Sequence, residues 1–341
     1  MLENWTMGFA LILTAGILQG TFMLPLKYTS KWNWENTWLS FSFMGYLIFP
    51  WLVALLTVPQ LKEILHQTST STLLGTILFG FGWGLGCLTF GLGIDYLGLS
   101  LGFALILGLT AAIGTLIPML VLSPEKLMSA KGAVLLVGVV TMLAGISLCS
   151  WAGKLKETAL DAGSAGLDQA PRKSYALGVL FCILSGVLSA CANLGFAFGT
   201  EVTTRATQWG TPQQYASIPL WSVMMLPLFL CNGPFCFYLL LRNQSLAKFR
   251  LPHTGRYYLL AASMAGMWLV GMFFYGFGAN KLGQTGSSIG WAILMSSVVI
   301  VANLWGLTTR EWRGAGLKAN RTMRAGLPVL VVAIFIIGGA K

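Results

Sequence analysis

GWGLGCLTFGLGIDYLG, residues Gly82 to Gly98, is matched by MWLVGMFFYGFGANKLG, residues Met267 to Gly283. Aligned, Trp83 meets Trp268, Gly86 meets Gly271, Phe90 meets Tyr275, Gly91 meets Gly276 and Gly93 meets Gly278. Leu97 then meets Leu282 and Gly98 meets Gly283. Both copies lie in strongly apolar sequence. An internal repeat inside a membrane-embedded chain is the mark of a secondary transporter, with its substrate site between the repeats.

A second match supports the repeat. GFALILTAGILQG, Gly8 to Gly20, lies on GVLFCILSGVLSA, Gly178 to Ala190, so that Gly8 meets Gly178, Gly16 meets Gly186 and Leu18 meets Leu188. Glu125 and Glu311 form a weaker third pair. Ten apolar stretches run approximately over 6–26, 37–58, 73–94, 99–122, 132–151, 175–199, 214–241, 257–279, 286–307 and 325–340. Each approaches the ~20 residues that span a bilayer as a helix, the last being the shortest. Five spans per half is an odd number, so the halves cross in opposite directions. The expected fold is an all-α polytopic membrane protein with ten transmembrane helices in two inverted five-helix repeats. The first repeat covers 1–151, a polar cytoplasmic connector 152–174, and the second repeat 175–341.

Composition agrees. Hydrophobic residues make up 56% of the 341, charged residues 9%, and the net charge is +11; mean hydropathy is +0.74. A soluble domain carries roughly 25% charged residues. MLENWTM lacks the basic n-region of a signal peptide, and no A-x-A site closes the first apolar run, so a retained first helix is expected. The six cysteines fall in or beside apolar spans without zinc or disulfide spacing and read as small buried hydrophobes. The positive charge is not a nucleic-acid footprint. Of the 21 basic residues, 15 lie in the loops after spans one, three, five, seven and nine, among them Lys27, Lys31, Lys154, Arg172, Lys173, Lys248, Arg256 and Arg310. The positive-inside rule makes those loops cytoplasmic and both termini external, in a cell inner (plasma) membrane. Contact with anionic lipid follows as a secondary effect.

Polar groups at membrane depth are costly unless paired, and each is either an interhelical hydrogen bond or part of a site. The deepest are Gln19, Asn193 and Asn303. Trp83, Trp268, Tyr275 and Trp291 offer flat apolar faces with polar tips, which suit a small substrate that has both an apolar face and polar groups. The alternative for each ring is core packing or lipid contact. Trp5, Trp32, Trp34, Trp38, Trp209 and Trp312 sit near span ends and read as interface anchors. Glycines four apart along the third span, Gly82 and Gly86, serve close helix packing or sliding during transport.

Proton coupling needs a group that changes charge. None of the ten carboxylates lies mid-span; Glu35, Asp95 and Glu201 are the best placed, each at a boundary. Alternating gates are expected: Lys27 with Asp95 or Glu35 inside, and Glu201 with Lys281 outside. Sodium coupling and uncoupled diffusion stay open. A membrane-embedded enzyme is poorly supplied, since both histidines lie between the apolar spans and no metal or nucleophile constellation exists. A drug or metabolite exporter is the other reading; a scaffold fits the repeat less well.

The chain resembles the L-rhamnose–proton symporter family of the drug/metabolite transporter superfamily nearly end to end. The resemblance is carried by KWNWENTW (Lys31 to Trp38), FPW (Phe49 to Trp51), LFGFGWGLG (Leu78 to Gly86), YLGLSLG (Tyr96 to Gly102), AGKLKE (Ala152 to Glu157) and REWRGAG (Arg310 to Gly316). QTGSSIGW, Gln284 to Trp291, departs from the more polar and aromatic stretch expected there, which leaves the exact sugar open. The resemblance implies import of a monosaccharide, L-rhamnose or a related 6-deoxyhexose first, driven by a cation gradient with no bound cofactor. The expected partners are sugar and lipid, and a monomer suffices.

Overall fold

A computed structural model describes residues 2–162 and 174–340. It is built of helices, and the described residues include no strand: α1 (Leu2–Thr21), α2 (Trp34–Ser42), α3 (Phe49–Thr57), α4 (Leu61–Gln67), α5 (Thr70–Leu97), α6 (Leu99–Leu122), α7 (Pro124–Leu127), α8 (Ala130–Ala162), α9 (Tyr175–Ser189), α10 (Cys191–Phe198), α11 (Thr200–Gln208), α12 (Ile218–Arg242), α13 (Gly255–Leu282), α14 (Gly286–Thr308) and α15 (Gly316–Gly339). Among the described residues nine helical spans are long and apolar enough to cross a membrane. The longest, Gly255–Thr308, joins α13 and α14 through a short 3-10 turn at Gly283–Thr285. Gly283 takes a φ of +78°, a conformation that costs glycine little. The protein is an all-α polytopic membrane protein.

Three boundaries differ from the sequence reading. α8 continues to Ala162, so the first part of the 152–174 connector is helix; Lys, Leu, Glu and Ala in KLKETALDA are strong helix formers. The rest of that connector, with Arg172 and Lys173, lies outside the described residues. The last span is not short: α15 begins at Gly316, because Lys318, Arg321 and Arg324 occupy its first turns and hide the helix from an apolar count. The second span is not one regular helix. A π-helical segment, Phe43–Ile48, separates α2 from α3. Pro50, in the first turn of α3, has no N–H to return to the preceding turn, and a π-bulge absorbs that loss.

The chain packs as two compact units, Met1–Leu85 with Cys191–Ser287, and Gly86–Ala190 with Ser288–Lys341. Each draws on both sequence halves, so packing and repeat divide the chain differently. In the first unit α1 crosses α13 where both are glycine: a Cβ on Gly278 would stand 2.8 Å from the Gly8 carbonyl and 2.8 Å from Ile12, and one on Gly271 would stand 2.8 Å from Gln19 Nε2. In the second unit α9 meets the end of α5 in the same manner: a Cβ on Gly93 would stand 2.8 Å from Cys182 Sγ, and one on Gly86 would stand 2.8 Å from the Ser189 hydroxyl. The repeat alignment carries Ile12, Gln19, Gly271 and Gly278 onto Cys182, Ser189, Gly86 and Gly93. The two crossings therefore have one design. Small residues let the backbones close, and dispersion between them replaces the hydrophobic drive that lipid does not supply. The second unit also contains antiparallel α8 and α15, closed by Gly138 on Ile337, Gly145 on Leu330 and Gly326 on Cys149.

This packing predicts opposite outcomes for one substitution at two sites. Gly278→Ala forces a methyl against the Gly8 carbonyl and lowers the stability of detergent-solubilised protein by about 1–3 kcal/mol. Gly75→Ala, where a Cβ meets nothing within 4 Å, leaves it unchanged or raises it by up to about 1 kcal/mol through helix propensity. Denaturation midpoints of the two variants against the parent check this; equal midpoints contradict it.

Candidate functional site: an aromatic cluster with unpaired donors

The repeat-related tryptophans come together in the first unit. Trp83 on α5 and Trp268 on α13 stack with centroids 5.5 Å apart and planes 29° apart. Phe22, Phe41 and Tyr46 pack around Trp268 at 5.1, 6.2 and 5.6 Å. Gln19, 7% exposed, reaches the same helix from α1, its Nε2 donating to the Trp268 carbonyl at 2.8 Å. The missing side chain at Gly271 makes room for it. Under the repeat the position answering Gln19 is Ser189, one turn before Asn193 and the last residue of α9.

Asn193 follows the break between α9 and α10. It is fully buried, accepts a short hydrogen bond from the Tyr275 hydroxyl, and donates through Nδ2 to the Ser287 carbonyl at 3.0 Å. An interrupted helix exposing polar groups at membrane depth is the usual platform of a carrier site.

Trp221 on α12 joins the two groups. Its ring stacks on Phe196 at 5.2 Å and 10°, meets Trp83 at 6.4 Å and lies 6.2 Å from Tyr275. Trp221 and Phe196 were not singled out from the sequence. A usable signal existed: Ser217 and Trp221 are four residues apart at the start of an apolar span, which puts a hydroxyl and an indole N–H on one helix face.

Three polar atoms of this cluster are buried without a hydrogen-bond partner: Trp221 Nε1, Trp268 Nε1 and Ser217 Oγ. Each such group costs about 1–3 kcal/mol. Native folds rarely keep several in one place without a use. Flat apolar faces beside unpaired donors are what a polyol with an apolar face requires.

Trp291 and Asn303 belong to the second unit. Trp291 packs over Gly114 and donates its indole N–H to the Thr110 carbonyl at 3.1 Å. Asn303 donates to Val299 within its own helix at 2.8 Å.

The residues expected to gate or couple have the following surroundings. Glu35, in the first turn of α2, is 4% exposed and is the one carboxylate buried to this degree among the residues whose side chains are described. It accepts from Ser245 Oγ at 2.6 Å, Asn33 Nδ2 at 3.0 Å and Asn243 Nδ2 at 3.1 Å. Lys248 Nζ bonds Asn33 Oδ1 at 2.5 Å, one step from the carboxylate. Lys27 lines a surface pocket with Tyr28, Ser30 and Arg256. Asp95 is exposed near the end of α5, in the second unit. Glu201 turns to Ser69, accepting from its N–H at 3.0 Å and its hydroxyl at 2.6 Å, and to the Thr72 hydroxyl at 2.6 Å. Arg205 lies 3.8 Å away. Lys281 reaches Asn4 at 3.5 Å and the Phe277 ring.

Of the expected interface anchors, Trp32 is internal and Trp38 is half-buried. Trp32 is 5% exposed; it packs edge-on against Phe249, Tyr257 and Tyr258 and donates to the Lys248 carbonyl at 3.0 Å. Trp38 donates to Asn232 Oδ1 at 3.2 Å. Their nearness to a span end masks long-range partners on α12, on α13 and on the segment between them.

Comparison with known proteins places the chain. The family model described as L-rhamnose-proton symport protein matches residues 1–340. The L-rhamnose-proton symporter of Cronobacter sakazakii is 31% identical over 340 residues, covering 98% of this chain and 97% of the relative. Those of Salmonella paratyphi B and Salmonella newport are each 30% identical over the same coverage.

Proposed function

We propose, from the premise that the chain belongs to the L-rhamnose-proton symport family, that it imports L-rhamnose or a related 6-deoxyhexose together with a proton. The family is one of transporters, not enzymes. The observation that carries the reading is the Trp83–Trp268 stack with its unpaired indole donor. The sugar lies with its C–H face on these rings, and Gln19, Tyr275 and Asn193 supply the polar side. Trp291 and Asn303 are sugar-binding candidates of the second unit. The recurrence of the glycine crossings in the two units supports an inverted repeat of five crossings per half, with α13 and α14 counted separately. Basic residues in alternate loops support external termini in the cell inner membrane. The unit of function is a monomer in lipid.

Glu35 carries the coupling proton on this reading. Three neutral donors hold its charged form, so protonation breaks hydrogen bonds to neutral partners. Lys27, with Glu35 or Asp95, on the inner side and Glu201 and Lys281 on the outer are the gating residues of this reading, each within its own unit.

Uptake of labelled L-rhamnose into proteoliposomes tests the reading. An inward proton gradient raises uptake several-fold, and related deoxysugars compete. Stimulation by a sodium gradient alone, or no uptake of any deoxyhexose, contradicts it.

A further inference from the structure

Ser217, Trp221 and Gly276 form a corner that the cluster of repeat-related residues does not account for. A Cβ on Gly276 would stand 2.6 Å from Ser217 Oγ and 2.8 Å from Trp221 Nε1. Both polar atoms therefore converge on the backbone of α13, directly after Tyr275, and neither has a hydrogen-bond partner. Ser217 and Trp221 are 1% and 0% exposed, so bulk water does not satisfy them. Ser217 is the N-cap residue of α12, where a serine hydroxyl normally accepts a backbone N–H; here it makes no capping bond. Its hydroxyl serves neither the helix nor a neighbour.

We infer that this corner is a specificity subsite: Ser217 Oγ and Trp221 Nε1 together bind one hydroxyl of the sugar, and Gly276 keeps the corner open to it. The inference rests on the sugar-transport reading and adds to it the residues that select among sugars. The indole N–H is a donor only, whereas the serine hydroxyl both donates and accepts. A sugar hydroxyl matches the pair, accepting from Trp221 and exchanging a bond with Ser217. A methyl or a hydrogen at that carbon leaves two buried donors unpaired, which is the strongest basis for rejecting a close analogue. The two atoms approach Gly276 too closely for an oxygen to stand between them as they lie. Binding therefore turns the Ser217 hydroxyl, or draws the first turn of α12 away from α13. The Phe196 stack holds the Trp221 ring in place meanwhile.

A group that is orphaned without ligand and satisfied with it has a double signature. Removing it strengthens the ligand-free protein and weakens the complex. The test uses purified full-length protein in detergent, with Ser217→Ala and Trp221→Phe variants. Titration with L-rhamnose and its 2-, 3- and 4-deoxy analogues is followed by calorimetry, and ligand-free denaturation midpoints are measured alongside. Ser217→Ala is expected to keep or raise the midpoint and to weaken L-rhamnose binding about tenfold. One deoxy analogue, and only one, is expected to bind the parent and Ser217→Ala equally, because its missing hydroxyl is the one that Ser217 holds. Trp221→Phe singles out the same analogue. Overturning results are L-rhamnose affinity unchanged by Ser217→Ala, or an equal loss on every analogue. A parent protein that binds none of these sugars defeats the transport reading itself and this inference with it, a result distinct from a parent that binds and a variant that does not differ.

Discussion

Glu35→Gln abolishes sugar accumulation while leaving sugar binding intact. With one proton per sugar, a gradient of two pH units supports about a hundredfold accumulation, since each unit is a tenfold factor. A glutamine at position 35 keeps an oxygen for Ser245 and loses the charge change, so uptake falls to simple equilibration, a loss of about two orders of magnitude at that gradient. Lys248 stays bonded to Asn33 beside the substituted side chain. Exchange of labelled for unlabelled L-rhamnose, which needs no net proton movement, persists in the variant. Accumulation equal to that of the parent protein sinks the assignment of Glu35 and returns the proton to Asp95 or Glu201.

Trp83→Ala lowers L-rhamnose affinity by about two orders of magnitude. Covering one face of a pyranose with an aromatic ring draws on the burial of a large side chain's worth of apolar surface, roughly 1.5–3 kcal/mol, where 1.4 kcal/mol is a tenfold change. The ring also props Trp268 and Trp221 in place, so its loss disorders both neighbours. Truncating a large core side chain costs about 3–5 kcal/mol of stability, and binding must be measured on protein shown to be folded. Trp83→Phe is the companion: it keeps a face and a smaller stack, and recovers most of the affinity. Folded Trp83→Ala that binds L-rhamnose as the parent does shows that the ring is core packing only.

The pairing of Trp83 with Trp268 was legible because both copies of the motif place an aromatic three residues before a glycine, and the glycine-lined crossing of α1 with α13 brings that turn inward. Gln19 was legible as an isolated amide in an apolar run. Trp221 and Ser217 were passed over: their four-residue spacing puts both on one face of α12, but that helix carries no copy of the glycine motif to single them out. Glu35 was legible as a boundary carboxylate and a coupling or gating candidate, but not as a buried one. Its burial depends on Asn243 and Ser245, over two hundred positions away, and no local pattern reports such a contact. Trp32 was misread for the same reason, since its partners Phe249, Tyr257 and Tyr258 belong to the segment around the start of α13. The packing division was equally invisible, because its boundary falls at Leu85 and Gly86 inside one unbroken helix.

The central claim is that sugar and proton cross together. Its most direct test loads proteoliposomes with a pH-sensitive dye, sets equal pH on both sides with potassium and valinomycin holding the voltage at zero, and adds L-rhamnose outside. The account predicts acidification of the lumen that saturates with sugar, follows its uptake in fixed proportion and is absent in Glu35→Gln. Sugar entering without any change in luminal pH contradicts it.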